Sequence, residues 1–462
     1  MTRMQITPDI SLAYHTLKSK GAEYDKLEAY YEGNQPTVYL TTRLREIFKG
    51  VDTRFSENMC SVVIDSLLER ININNLSTST SPEISDWLNS FYQDNQLQLE
   101  ADDLHQSALL FGESYILAWK EDENQEIECY YNDPRICHLF YDPSHPKTPR
   151  GGVKLHEDAS RKKTYLTLYY ADHLEYWIAN RPWKDVSGPG MFTPDLNFFI
   201  NETWPVNPYG QIPVFRFRWS RKVRSELYNV IPLQNGANKL LADMMVAAEF
   251  GAFKQRWVIS NSENVGKLAA QPGSTLEIPA GAEGEQNTSV GEFSATELKN
   301  YWEAIDKLIT AVGITTRTPK HYFFSQSGDP SGEALIAWEA PLNKKAMDRI
   351  DRFTPTWKEF FSFIARLAGY SILPRDITIG WLKPETVQPR TQAEITRIRT
   401  NSGVPLVTAL RWEGKTESEI QNLLQDKKAQ DKASQTSLAE ALLEAERNRS
   451  EEHTSELQSP NT

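Results

Sequence analysis

The stretch that most limits what this chain can fold into is residues 331–370, SGEALIAWEAPLNKKAMDRIDRFTPTWKEFFSFIARLAGY. Its large apolar residues are Leu335, Trp338, Leu342, Ile350, Phe353, Trp357, Phe360, Ile364 and Leu367. They recur at steps of three or four, with a step of eight across one polar gap, which is the period of a single helix face. Held for about ten turns, that face predicts a rod of roughly 60 Å, against an average helix of about 11–12 residues. Pro341 and Pro355 fall inside it. Each removes a backbone donor and crowds the carbonyl four residues earlier, so the rod is expected to bend at both. A segment rich in loop formers, TRTPKHYFFSQSGDP, leads into it. A long bent helix fed by a loop points to scaffolding more than to an active site.

The rest of the chain is large enough to surround such a rod. Its 462 residues allow two or more cores. The net charge is −12 and the pI about 5.3, which argues against a tight binder of duplex DNA, since gripping phosphates needs a basic face. Cys60, Cys129 and Cys137 are too few and too unevenly spaced for a disulfide framework or zinc site, and are expected as buried thiols in a reducing compartment. No two of the eight histidines have metal-ligand spacing. The first residues, MTRMQITPDI, hold no apolar core of signal-peptide length, and no run approaches the ~18 apolar residues of a membrane span.

Taken in order, residues 7–32 read as a helix with Tyr24, Tyr30 and Tyr31 near its end. Helices follow at 55–70, packed through Val62, Val63, Leu67 and Leu68, around Trp87, Leu88 and Phe91, and at 97–111, where Gly112 stops the last. From Ser114 the period changes to two. SYILAW, EIECYY, ICHLFY, VKLHED, TYLTLYY and HLEYWIA predict an antiparallel sheet packed on these helices, in an α+β unit covering about 1–225. Residues 180–213, with six prolines, read as loop before a strand at 214–219. A helix at 232–249 has Pro232 in its first turn. Strands at 256–259 and 274–278 precede a Gly/Glu-rich loop, and Ser294 to Glu297 form a capping box for a helix ending at Gly313. Leu240, Met244, Leu298, Ile305 and Leu308 are expected to pack these two helices together, within or between subunits. Beyond Tyr370 come a strand at 376–381, a helix at 391–400, a second capping box at 416–419, and a polar tail.

Several blocks together resemble the portal (head-to-tail connector) proteins of tailed bacteriophages, in the branch found in actinobacterial siphophages. They are LEAYYEGNQP (27–36), FSENMCSVVIDSLLERI (55–71), ALLFGESYILAW (108–119), NPYGQIPVFRF (207–217), VIPLQNGANKLLADMMVAAEFGAFKQRWV (230–258), TRTPKHYF (316–323) and SGEALIAWEAPL (331–342). The resemblance covers about residues 20–415, and none of its blocks carries a catalytic signature.

It implies an α+β portal fold and a ring of twelve subunits at one capsid vertex. By that likeness 1–229 is the wing, 230–253 and 294–313 the two stem helices, and 254–293 the clip between them. Residues 314–330 become the tunnel loop, 331–390 the long kinked wing helix with its return strand, and 391–448 the crown. The implied partners are other copies of the chain, the terminase large subunit, major capsid and scaffolding proteins, and head-completion or neck proteins, with double-stranded DNA passing through without sequence specificity and no membrane. The implied location is the portal vertex of a virion assembled in the host cytoplasm. Twelve copies at −12 each would carry about −144, and an acidic channel would repel phosphate and let DNA slide. Pro341 departs from the pattern, standing where an ordinary helix former is expected. Residues 449–462, RSEEHTSELQSPNT, look like read-through of a sequencing adaptor, which would leave the crown cut short.

The loop holds the candidate channel residues: Arg317, Lys320, His321, Tyr322, Phe323 and Phe324. Two readings stay open. The aromatics pack between neighbouring loops while the basic groups are solvated, or some of them face the channel and touch passing duplex. No catalytic, cofactor-binding or metal-ligating residue is expected. The rival classes are an acidic carbohydrate-active enzyme, with Asp102/Asp103 or Glu333/Glu339 as its carboxylate pair, and a monomeric capsid-morphogenesis factor. Gly414-Lys415-Thr416 mimics the end of a phosphate-binding loop, but Ala409 stands where that loop needs glycine, so ATP hydrolysis would belong to a partner.

Overall fold

The computed structural model describes residues 8–35, 57–121, 125–199, 203–252, 256–259, 289–292, 297–324, 331–384, 389–412, 415, 419–430 and 432. The first helix, α1 (Pro8–Tyr31), serves two cores in succession. Ile10, Ala13, Tyr14 and Leu17 pack against one, and Tyr24, Leu27 and Tyr30 against another. The apolar stripe therefore turns around the helix along its length. α2 (Met59–Leu68), α3 (Pro82–Asp94) and α4 (Leu97–Phe111) complete the N-terminal helices. Ser81 caps α3 by accepting from the Glu83 amide.

The predicted single sheet is in fact two. β2 (Ser114–Lys120) lies between β3 (Ile127–Asn132) and β9 (Val214–Phe217). β4 (Cys137–Asp142), β5 (His145–Asp158), β6 (Lys163–Tyr169), β7 (Leu174–Ala179) and β8 (Thr193–Pro194) form a second sheet, in that order, every pairing antiparallel. The division has a packing cause. Ile116 and Ala118 of β2 face the main helical core, while Tyr115 and Leu117 face Cys137, Leu139, Tyr169 and Leu174 of the second sheet. A strand buried on both faces must be apolar at successive positions, as SYILA is. A further strand was hidden among polar residues. β1 (Ile73–Thr78) pairs with β12 (Ile377–Trp381), and its two asparagines conceal it in the sequence.

α5 (Val230–Ala252) and α6 (Leu298–Thr316) lie side by side, with Leu308 Cδ1 3.3 Å from where a Cβ on Gly236 would stand. Between them β10 (Arg256–Ile259) pairs antiparallel with β11 (Ser289–Glu292), in the stretch predicted as loop. The strand expected at 274–278 lies outside the described residues. Two expected boundaries of α6 are corrected. Glu297 occupies the N-cap without a side-chain bond, so no capping box through Glu297 opens the helix. The helix also runs past Gly313 to Thr316, and Arg317 ends it at φ 63°. Gly313 is needed for a close approach: a Cβ there would lie 2.9 Å from the Thr318 carbonyl oxygen.

The long helix is α7 (Gly332–Leu367), about 54 Å at helical rise, capped by Ser331 accepting from the Ala334 amide. It passes through both Pro341 and Pro355 without interruption. Leu342, Ile350, Phe353, Trp357, Phe360 and Ile364 are buried in the main core. Before Pro341 the same face is uncovered, and Trp338 is 43% exposed. α8 (Pro389–Asn401) and α9 (Leu406–Trp412) follow, and 419–430 is helical. Residues 416–418 of the expected box and the stretch 449–462 lie outside the described residues. No described helix is long and apolar enough to cross a membrane, and all three cysteines are buried and free.

Candidate assembly and channel site

Three elements converge where α6 ends and α7 begins. Arg317 turns the chain out of α6 in the left-handed region, Pro319 leads into a short 3-10 turn at Lys320–Tyr322, and Phe323 and Phe324 follow. The segment does not hang free. Tyr322, Phe323 and Phe324 all pack against the main core, and Phe324 lies 6.0 Å from Trp302, centroid to centroid. Lys320 Nζ sits 2.7 Å from the Asp306 carboxylate. His321 Nε2 is 3.9 Å from Glu339, at the outer limit of an ion pair. Arg317 is exposed and has no ion pair among the described residues. The expected loop 314–330 is thus helix up to Thr316 and a docked segment up to Phe324; 325–330 lie outside the described residues.

Arg70 clasps this segment to the body. It donates to the Tyr322 hydroxyl at 2.6 Å, to Asn343 Oδ1 at 2.9 Å and to the Ser66 carbonyl at 2.7 Å, and lies 3.6 Å from Glu339. One guanidinium thereby joins α2, the turn and α7. Nothing in the sequence announced it, because Arg70 and Tyr322 are 252 residues apart.

Alongside, Glu226 is buried between two cations. Lys345 Nζ lies 2.9 Å from one carboxylate oxygen, and Arg349 reaches the other through Nε and Nη2, at 2.7 and 2.6 Å. Lys345 also donates to the Thr316 carbonyl at 3.0 Å, tying the end of α6 to α7. Burial lowers the pKa of the Lys345 ammonium, and Glu226 works against that shift. A second buried cluster holds α1 to the sheets. Glu113 accepts from Lys20 at 2.5 Å and from Tyr24 at 2.8 Å, with Arg216 3.6 Å away. Burial by itself would raise the Glu113 carboxyl, but Lys20, His138 and Tyr24 hold it down at about 2.

The other expected residues are placed as follows. Ile305 is fully buried, and Leu240 and Leu308 pack against the same core. Met244 is half-buried, and Leu298 is 41% exposed. Of the carboxylates weighed as a catalytic pair, Glu339 belongs to the Arg70 clasp and Glu333 is exposed in the first turn of α7. Asp102 and Asp103 are neighbours on α4. Lys415 lies 3.8 Å from Glu419.

In each of these places a charged cluster joins distant elements of the chain. The description "Phage portal protein, SPP1 Gp6-like" matches residues 14–433, and the chain belongs to that family. It is 25% identical over 350 residues to the portal protein of Mycobacterium phage D29, covering 70% of this chain and 67% of that one. To the portal protein of Mycobacterium phage L5 it is 24% identical over 349 residues, covering 70% and 66%. It therefore spans about two thirds of the length of these relatives. A chain in the virion of a native gene transfer agent particle is similar at 12% identity and a TM-score of 0.40, covering 78% of this chain and 88% of that one. A chain from the neck of an empty particle of that kind gives 11%, 0.44 and the same coverage.

Proposed function

We propose that this portal protein assembles as a ring of twelve at one capsid vertex and forms the conduit through which double-stranded DNA enters and leaves. Family membership supports the portal role. The observation that supports a ring is apolar surface left open on one chain: Leu298 and Trp302 on α6, and Ile336 and Trp338 on α7. Of these, Trp302 lies against Phe324 and Trp338 near His321, in the segment proposed to face the channel.

In this reading residues 1–229 form the wing, α5 and α6 the stem, 254–293 the clip and 391–448 the crown. The clip is the docking surface for the terminase large subunit and for head-completion and neck proteins. Major capsid and scaffolding proteins surround the ring as it assembles in the host cytoplasm. Lys320, partly exposed at the turn beside Asp306, is the cation of this segment proposed to meet passing phosphates.

Negative-stain microscopy and native mass measurement of the purified chain test the proposal. The expected species is a closed ring whose mass is about twelve times 52.8 kDa. A chain that stays monomeric at every concentration would end the ring reading, and the morphogenesis factor would take its place.

A further inference from the structure

The Glu226 cluster forms the floor of a cavity of about 410 Å³ between the end of α6, the first half of α7 and residues 219–229. Its lining carries five basic side chains, Arg224, Arg317, Lys344, Lys345 and Arg349, against only two acidic ones, Glu226 and Asp348. Both acids are already engaged. Glu226 holds Lys345 and Arg349, and Asp348 holds Arg349 and Arg352. Among the described residues, the Arg224 side chain bonds to the neutral Asn229 side chain and stacks on Tyr228 at 4.1 Å. Arg317 and Lys344 are exposed with no ion pair among the described residues. Among the described residues, three cations therefore surround the mouth without a counter-ion, on a chain whose net charge is −12.

We infer that this pocket receives a carboxylate side chain from a second copy of the chain. The inference rests on the ring reading above and names its anchoring contact. Charge complementarity selects the occupant, since the chain carries 62 acidic residues against 50 basic ones and this pocket has an unmet positive charge. The surface beside it is suited to a protein neighbour. Tyr228 is 64% exposed and Ile314 75%, and Arg317 also lines an adjoining apolar groove with Ile314, Pro319, Trp338 and Pro341.

The pocket needs an acidic partner surface distinct from itself, and a head-to-tail contact supplies one at every junction and closes into a ring.

The test compares wild type with the double variant Arg317→Asn/Lys344→Gln by native mass and sedimentation over a range of concentrations, at low and high salt. Asparagine tolerates the left-handed backbone at 317, so the variant keeps its fold, and an unchanged melting temperature verifies this. The variant is expected to need roughly tenfold more protein to assemble, with a weaker salt dependence. Arg224→Gln, on another wall of the pocket, is expected to shift assembly in the same direction. Variants that assemble like wild type at low salt would overturn the contact while leaving the ring intact. Normal assembly with reduced retention of duplex DNA in a gel shift would also overturn it, assigning the pocket to phosphate. If wild type never associates, the ring reading itself has failed, and the wild-type arm alone reveals that.

Discussion

Glu113 has no exposed surface, yet it carries its charge because Lys20 and Tyr24 are turned onto it. Its carboxyl, held at about 2 against an ordinary 4.5, contributes stability that is complete above 4.5 and lost as pH falls toward 2. His138 and His105 act in the same direction. Burial lowers them to about 4 and about 3, so the unfolded chain takes up their protons first and stability drains away below about 6.5. The melting temperature is expected to fall steadily from pH 6.5 to 3. Glu113→Gln should cost about 3 kcal/mol at neutral pH and flatten the decline below 4.5, which calorimetry of the two proteins would register. A parallel decline in both would remove Glu113 from the account. Gly112 illustrates the limit of sequence reading at this scale. Its place at the end of α4 is legible, but the reason no other residue fits is not. It sits at φ 90°, and a Cβ would stand 2.4 Å from the Arg224 backbone nitrogen.

Ile305 and Leu298 lie on one face of α6, seven residues apart, and the fold treats them differently. Ile305 is sealed inside the chain, whereas Leu298 is largely open. Ile305→Asp places an unpaired charge in the core and should destabilise the lone subunit by about 3 kcal/mol or more, seen in its denaturant midpoint. Leu298→Asp should leave that midpoint unchanged within about 0.5 kcal/mol and act only on association. Equal losses of subunit stability would mean that Leu298 belongs to the core after all. In α7 the prolines are similarly divided by their surroundings. Pro341 marks the point where the helix passes from open surface into the core. Near Pro355, Thr354 bonds back to the Ile350 carbonyl and receives the Trp381 indole N–H, which holds β12 against the helix.

In the whole molecule, the long helix links the segment beyond α6 to the helical core through Arg70, Lys345 and its own aromatic face. Lys320 tests how that segment is used. Its pair with Asp306 is partly exposed on both sides, so breaking it should cost the fold under about 1 kcal/mol. Lys320→Ala is therefore expected to melt and assemble like wild type while altering packaging or retention of DNA in assembled particles. Failure of the variant to assemble would make the segment a structural joint and leave the channel role to other residues.

The sequence by itself determined the elements with strong periodicity. The 3.6-residue repeat of α7 survives in the fold because its aromatic face has a core to fill, and the two-residue alternation of β6 and β7 survives for the same reason. Only tertiary structure decided what lies across the chain. It split the strands into two sheets by burying both faces of β2, and it paired β1 with β12 despite their separation in sequence. It also brought Glu226 to Arg349 from 123 residues away, and Arg70 to Tyr322 from 252. A periodic pattern is a local record of burial. An ion pair between distant elements leaves no such record, because either partner alone reads as an ordinary surface charge until packing removes its water.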